Sequence, residues 1–556
     1  MKKIFLFIML TAFASSLLVS CKKADEVVRH EGNELADIYG TLEGLGSQRL
    51  FEPRFSNDTI YFDVPYFYPE DSDNEVDLKK IILRSTIPAD ASLSPALGVI
   101  RDMTNPFEFS ITSGAGEKKS FVVVTKKVGN VNVNKATIKF VADGSNQEVE
   151  AIVRDTDVIF YVLPGTDISS VALDLEINKH STSSIATGSS INLTQDVPLT
   201  ITGIDGRTKR YTLKAQEPIK LDYGVGINRR LWLKNGADLG FTTNMETSIA
   251  VSGDHLVVVT RTNPAKYRVF NRFTGAYVKD LPLPFSALSM QVTHDASGTL
   301  LGATYAGKGG RFLVYKWANG VDAAPELLID WVNNNPTGIT LDGGVGRRIN
   351  IYGDLKGDAV IMSAAGQSTI IYKWRVAGGQ LVSNTPEVID YKSLVGGATT
   401  KMGYQADAQP ISTAANTNYF INYQFEIGLV NGVSHERITG FADQTAVFGV
   451  FHFATDYIEF NNAKYLAIQK LTNWTFTNAI MGLYDVTETS KIPLSASDPR
   501  YNTFNVYNSE GFTASANASG TGDICFALSP DKERLQVYML LTNGGIMAHE
   551  FTKYAP

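Results

Sequence analysis

Apolar and polar residues alternate over short runs along most of the chain, and Gly, Pro, Asn and Asp break these runs before any helical period develops. The pattern predicts an all-β protein. From about Glu34 to about Pro218 the runs contain a weak duplication: Thr59-Ile-Tyr-Phe-Asp-Val-Pro65 resembles Val158-Ile-Phe-Tyr-Val-Leu-Pro164. Further on, Phe107–Gly116 with Ser120–Val124 resembles Leu199–Gly206 with Arg210–Leu213. In each copy two strands flank a glycine-containing hairpin turn. Two tandem β-sandwich domains of immunoglobulin-like size, residues 34–128 and 129–219, fit this spacing.

A different repeat fills residues 220–556, which also hold all five tryptophans, Trp232, Trp317, Trp331, Trp374 and Trp474. An apolar strand, an Asp/Asn/Gly turn and a second apolar strand recur at Val251–Val259, Val292–Leu301 and Ile351–Ile361. Weaker copies lie at Ile411–Ile421, Ile458–Ile468 and Phe526–Leu540. A third strand follows most copies, at Tyr267–Gly275, Phe312–Gly320, Ile370–Val376 and Met481–Val486. Repeats of roughly 40 to 60 residues with about four strands each predict a β-propeller, because one blade cannot bury both its faces alone. The count is six blades, with seven left open. Only three strands are recognisable in the last repeat, so Arg229–Leu233, just before the first, is expected to supply the fourth and leave no open edge.

The N-terminus reads Lys2-Lys3, an apolar run from Ile4 to Leu18, then Leu18-Val-Ser-Cys21, which predicts a signal peptide over residues 1–20. The run is shorter than the roughly 20 apolar residues that span a bilayer. Residues 21–33 are polar and aperiodic and are expected to form a flexible tether. Leu18–Cys21 resembles the lipobox of bacterial lipoproteins, which implies diacylglycerol on the Cys21 thiol and a further acyl chain, such as palmitate, on its amine. Several acyl chains anchor stably where one does not, so the membrane is an expected partner through Cys21. The other cysteine, Cys525, has no partner for an intramolecular disulfide and is expected to be a small buried hydrophobe. Net charge is −7, and losing Lys2 and Lys3 makes it −7 − 2 = −9, which argues against nucleic acid as a partner.

Sequence motifs for catalysis are missing: there is no Gly-x-Ser-x-Gly elbow, no His-Glu-x-x-His and no phosphate-binding glycine loop. No catalytic residue, metal site or cofactor is therefore expected. The seven histidines lack metal-ligand spacing, and His255 and His294 lie in or beside turns, where surface positions are expected. The run Glu70–Asp77 lacks the glycine and distal glutamate of a calcium loop and reads as a solvated loop. Sugars stack on exposed rings while Asn, Asp and Arg read their hydroxyls, so the aromatics carry more information. Trp317 and Trp374 share one repeat position and are assigned to packing. Trp331 opens a polar connection between blades that contains Asn333, Asn334 and Asn335. A second connection, Tyr391–Pro410, carries Tyr404. Together with Arg347 and Arg348 these residues are expected to form a shallow ligand groove, with a packing role for Trp331 as the alternative.

The order of parts resembles a group of Bacteroidetes surface lipoproteins with paired immunoglobulin-like repeats of unknown function and a C-terminal propeller. The residues behind the resemblance are Leu18–Cys21, Asp25-Glu26, Ile87–Pro95, Gly203–Gly206 and Tyr211–Leu213. It implies an outer-membrane location, on the cell surface rather than the periplasmic face, and an accessory role in polysaccharide uptake beside outer-membrane transporter components. The expectation is a non-catalytic, lipid-anchored protein that captures glycan on the propeller face. Two alternatives remain: an adhesion or assembly protein that grips another protein, and a propeller-type glycan hydrolase or lyase.

Overall fold

The structure is a computed structural model that describes residues 29–142, 145–284, 291–334, 343–394, 400–423, 426–442, 451–473, 475–516 and 522–556. The expected signal peptide, Cys21, most of the tether, Asn335 and Trp474 lie outside the described residues. Strands dominate, and the helical segments among the described residues are single 3-10 turns such as Leu78–Lys80. The protein is all-β. It divides into two compact units, one of residues up to 139 with 149–160 and 168–215, the other of residues 140–148, 161–167 and 216–556.

Residues 37–216 run through one strand order twice, the second time with an added edge strand, Ser145–Glu150, in the first sheet. In the first copy, Asp37–Leu42, Ile81–Thr86 and Ile100–Arg101 make one sheet, and Pro53–Ser56, Thr59–Pro65, Lys118–Val128, Phe107–Thr112 and Ser92–Ser94 make the other, each in that spatial order. Val133–Ala142, Val171–Ile177 and Ser189–Ile191 repeat the first sheet. Ile152–Arg154, Asp157–Tyr161, Thr208–Gln216, Val197–Thr202 and Thr182–Ser183 repeat the second. Alternation decides which face is covered: Ile60, Phe62 and Val64 point into the core of the first copy, where they meet Ile38, Leu83, Phe109 and Val123. The acidic run folds against the second copy. Asp71 accepts from the Lys179 N–H at 2.7 Å, Asp73 from its ammonium at 2.7 Å, and the His180 ring stacks on Phe67 with centroids 3.8 Å apart.

Six antiparallel meanders make up most of the second unit. Their leading strands are Glu246–Ser252, Gln291–His294, Asn350–Gly353, Asp407–Pro410, Phe451–Phe460 and Gly522–Leu528, which define the first to sixth sheets. Hydrogen bonds join these strands and the turns after them in cyclic order. Ser248 Oγ donates to Val292 O (2.7 Å), Leu355 N to Asp295 Oδ2 (2.8 Å) and Asn350 Nδ2 to Ala408 O (3.2 Å). Thr455 N donates to Asp407 Oδ2 (3.0 Å), Phe526 N to Asp456 Oδ2 (2.7 Å) and, returning to the start, Ile249 N to Asp523 Oδ2 (2.9 Å). An apolar cluster also lies between consecutive sheets, including one that joins Val258 and Phe270 of the first sheet to Tyr538 and Leu540 of the sixth. Burial of both faces of most sheets is why their middle strands read as continuous apolar runs.

The sixth sheet takes its outer strand from the start of the unit. Asn228–Asn235 pairs antiparallel with Gly545–Thr552, from Asn228 opposite Phe551 to Asn235 opposite Gly545, with one register shift between Arg230 and Trp232. Arg229 pairs with the buried Glu550 at 2.5 Å. Gly545 is required: its φ is +134°, and a Cβ there would lie 2.0 Å from Lys234 O.

Candidate functional site

Arg347 and Arg348 come just before the third leading strand and Tyr404 just before the fourth, at the end of these sheets where the leading strands begin. That is where the expected groove residues belong, and the structure sorts them into three kinds.

Arg348 and Asn333 are internal. Arg348, just before the third leading strand, donates to Asp523 Oδ1 (2.9 Å) and Gly522 O (2.7 Å) at the start of the sixth, which lies opposite in the cyclic order. At 3% exposure its guanidinium is a strut across the ring and not a groove residue, because a buried cation must meet its counter-charge inside. Burial pushes the Asp523 carboxyl up to about 6 against the pull of Arg348, which leaves it ionised at neutral pH. Asn333 is fully buried, donating to Ala306 O (2.9 Å) and accepting from the Tyr372 hydroxyl (3.1 Å), so it fixes a loop.

Trp331 packs. Its ring lies 4.8 Å from Tyr372 and 5.9 Å from Trp374, and it is only partly buried. Asn334 beside it is exposed.

Arg347 and Tyr404 are brought together, with a residue the sequence reading missed. The Arg347 guanidinium lies 5.4 Å from the centre of the Tyr404 ring and 5.9 Å from that of Tyr305, and these tyrosines are 51% and 41% exposed. Three separate segments meet here. Tyr305 follows the second strand of the second sheet, Arg347 precedes the third leading strand, and Tyr404 precedes the fourth. Gly344 N donates to the Tyr305 hydroxyl (2.7 Å) and Ala306 bridges to Val345, which ties the first two segments together. Gly346 permits that approach: its φ is +92°, and a Cβ would lie 2.1 Å from Thr304 O. Arg347 makes no hydrogen bond or ion pair among the described residues, and its Nε is buried without a partner. Burial holds its pKa below the usual arginine value, with Arg261 adding nearby positive charge. The result is a cation between two half-exposed rings, with its N–H groups unspent. Tyr305 carried no signal in its repeat position, since only the fold brings it to Arg347.

By fold and site, this is an all-β protein with a duplicated first unit and a second unit built mainly of six antiparallel meanders that displays a tyrosine–arginine–tyrosine surface. Residues 234–548 match the family described as a domain of unknown function, DUF8500, and since this is more than half of the chain, the protein belongs to that family. Residues 16–125 match a second domain of unknown function, DUF5018. No curated protein matches. Among solved structures, the chain is similar to a DUF4623 family protein from Bacteroides eggerthii, at 15% identity over 76% of this chain and 98% of the other, with a TM-score of 0.46. It is also similar to a protein of unknown function from Bacteroides thetaiotaomicron, at 11% identity over 80% of this chain and 94% of the other, with a TM-score of 0.35.

Proposed function

We propose that this chain is a lipid-anchored outer-membrane protein in which two immunoglobulin-like domains precede a six-bladed β-propeller, and that the propeller captures glycan at the cell surface without catalysis. The cyclic order of hydrogen bonds and the outer strand taken from Asn228–Asn235 support the propeller. The repeated strand order supports the paired domains. The observation that carries the glycan reading is the Arg347 guanidinium held between Tyr305 and Tyr404. Each ring offers an exposed face for the C–H face of a sugar, and the unspent N–H groups between them can donate to its hydroxyls.

Affinity electrophoresis against a panel of neutral and acidic polysaccharides tests this. Retardation by at least one polysaccharide is expected, with loss of about tenfold or more in affinity for Tyr404→Ala and Tyr305→Ala, as removal of about 1.4 kcal/mol of stacking would give. Trp331→Ala serves as a control: it removes packing against Tyr372 and Trp374 and lowers the unfolding midpoint without changing retardation per folded molecule. A protein retarded by no polysaccharide, but recovering an outer-membrane partner in pull-down, would replace glycan capture with an assembly role.

A further inference from the structure

The other end of the six sheets, where the leading strands finish, holds a separate open cavity of about 550 Å³. Its walls come from the ends of the first, second, third, fifth and sixth leading strands and the turns that follow them. Its size falls within the range of about 300–1,000 Å³ usual for small-ligand sites.

Arg272 lines it and is 4% exposed. One guanidinium nitrogen donates to Leu528 O (3.0 Å), Nε is buried without a partner, and the side chain makes no ion pair among the described residues. A buried arginine with no carboxylate beside it is costly, and its remaining donors call for an acceptor that arrives from outside. None of the four acids that line the cavity, Asp254, Asp295, Asp456 and Glu459, forms an ion pair with Arg272 among the described residues, and the last three are engaged by other donors, Glu459 by the Tyr457 hydroxyl at 3.2 Å. Asp295 Oδ1 accepts from Ser297 N, Ser297 Oγ and Thr299 N, and Oδ2 from Leu355 N, all within 2.9 Å. Asp456 accepts from the backbone N–H of Tyr457 and of Phe526, and burial pushes its carboxyl up to about 7, which halves its negative charge at neutral pH. His294 accepts from Val251 N at Nδ1 and so donates from Nε2 to Phe526 O, which leaves it neutral. Tyr352 and Tyr457, with ring centroids 5.7 Å apart, give the wall an apolar flank.

We propose that this cavity binds a small hydroxylated carboxylate of sugar size, with the carboxylate on Arg272 and the carbon skeleton against Tyr352 and Tyr457. Two sources share that chemistry: the terminal uronate of an acidic glycan and a free open-chain sugar acid. The site lies at the other end of the ring from Tyr305, Arg347 and Tyr404, and it stands whether or not those residues bind glycan.

Titration calorimetry on the full chain tests it with glucuronate, galacturonate, digalacturonate and gluconate, and with neutral glucose and galactose as comparators. At least one acid is expected to bind at least tenfold more tightly than the matching neutral sugar, as a charge-assisted pair to a buried arginine requires. A preference for uronates points to a glycan end, and a preference for gluconate points to a free acid. Arg272→Lys should weaken binding by about tenfold or more, because an ammonium cannot reproduce the planar fork. Tyr404→Ala should leave it unchanged. The acid-to-neutral comparison on the unmodified protein decides the matter even if the Arg272 variant fails to fold. The proposal is overturned if no acid binds at concentrations up to about 10 mM, if neutral sugars bind equally well, or if a folded Arg272→Lys binds as tightly as the parent.

Discussion

Arg348 shows how much a single side chain can carry, because its guanidinium joins sheets that are three steps apart in the cyclic order. Arg348→Met would leave Asp523 buried without its counter-charge, a change that costs roughly 3–5 kcal/mol. Urea unfolding should show that loss, with partial recovery in the double variant Arg348→Met/Asp523→Asn; a loss under about 1 kcal/mol would mean the pair is solvated. At this scale the sequence was only partly legible. Trp317 and Trp374 lie buried, as their shared repeat position indicated, and Cys525 is buried in the sixth leading strand. Arg347 and Arg348 are adjacent and chemically identical, yet one faces a surface of aromatic rings and the other is a strut. Both lie in a bend just before the third leading strand, outside the regular alternation of a strand, and nothing local says which of the two turns inward. His294 differs from expectation for the same reason: it follows a turn pattern but has both ring nitrogens bonded in the wall of a cavity, where burial lowers its pKa to about 4.

At the scale of elements the sequence was read further. The repeats read from the chain each cover the turn between the leading and second strands of the first three sheets, because strands buried on both faces leave apolar runs on either side of it, although the strands extend beyond the repeats, the first leading strand starting at Glu246 and not Val251. The outer strands were harder to see, being partly solvated and short: Gln380–Leu381 and Glu387–Asp390 share the edge of the third sheet, and Asn505–Asn508 and Phe512–Thr513 that of the fifth. The duplication of the first unit was visible only at Thr59–Pro65 and the closing hairpin, where the buried alternation is strongest, whereas the structure repeats the whole strand order. The most consequential element is Asn228–Asn235, and Gly545 is its weak point. Gly545→Ala adds a Cβ that meets Lys234 O and forces a side chain into a positive-φ conformation. A loss of about 1–3 kcal/mol is expected from such strain. Faster amide hydrogen exchange over residues 228–235 than elsewhere in the unit should accompany it, and unchanged exchange there would show that the strand is held by other contacts.

For the whole molecule, the family carries no activity in its description, so the functional reading rests on chemistry placed by the fold. Both surfaces singled out here present an arginine with unspent donors, at opposite ends of the same ring. The first was legible in part, since the sequence placed Arg347 and Tyr404 in one groove but gave no sign of Tyr305; the second was not, because it gathers residues from sheets far apart in sequence that only the fold brings together. Closure of the ring is the central claim, and one cross-link tests it. Leu233 and Met547 are Cα partners in the antiparallel pairing of Asn228–Asn235 with Gly545–Thr552. Cross-strand partners lie within the Cα separation a disulfide needs. In a Cys525→Ala background, Leu233→Cys/Met547→Cys should therefore oxidise to an intramolecular disulfide, detected as a linked peptide pair by mass spectrometry, whereas Leu231→Cys/Met547→Cys should form it far more slowly. Equal slowness for both pairs, or cross-links only between chains, would contradict the closed ring.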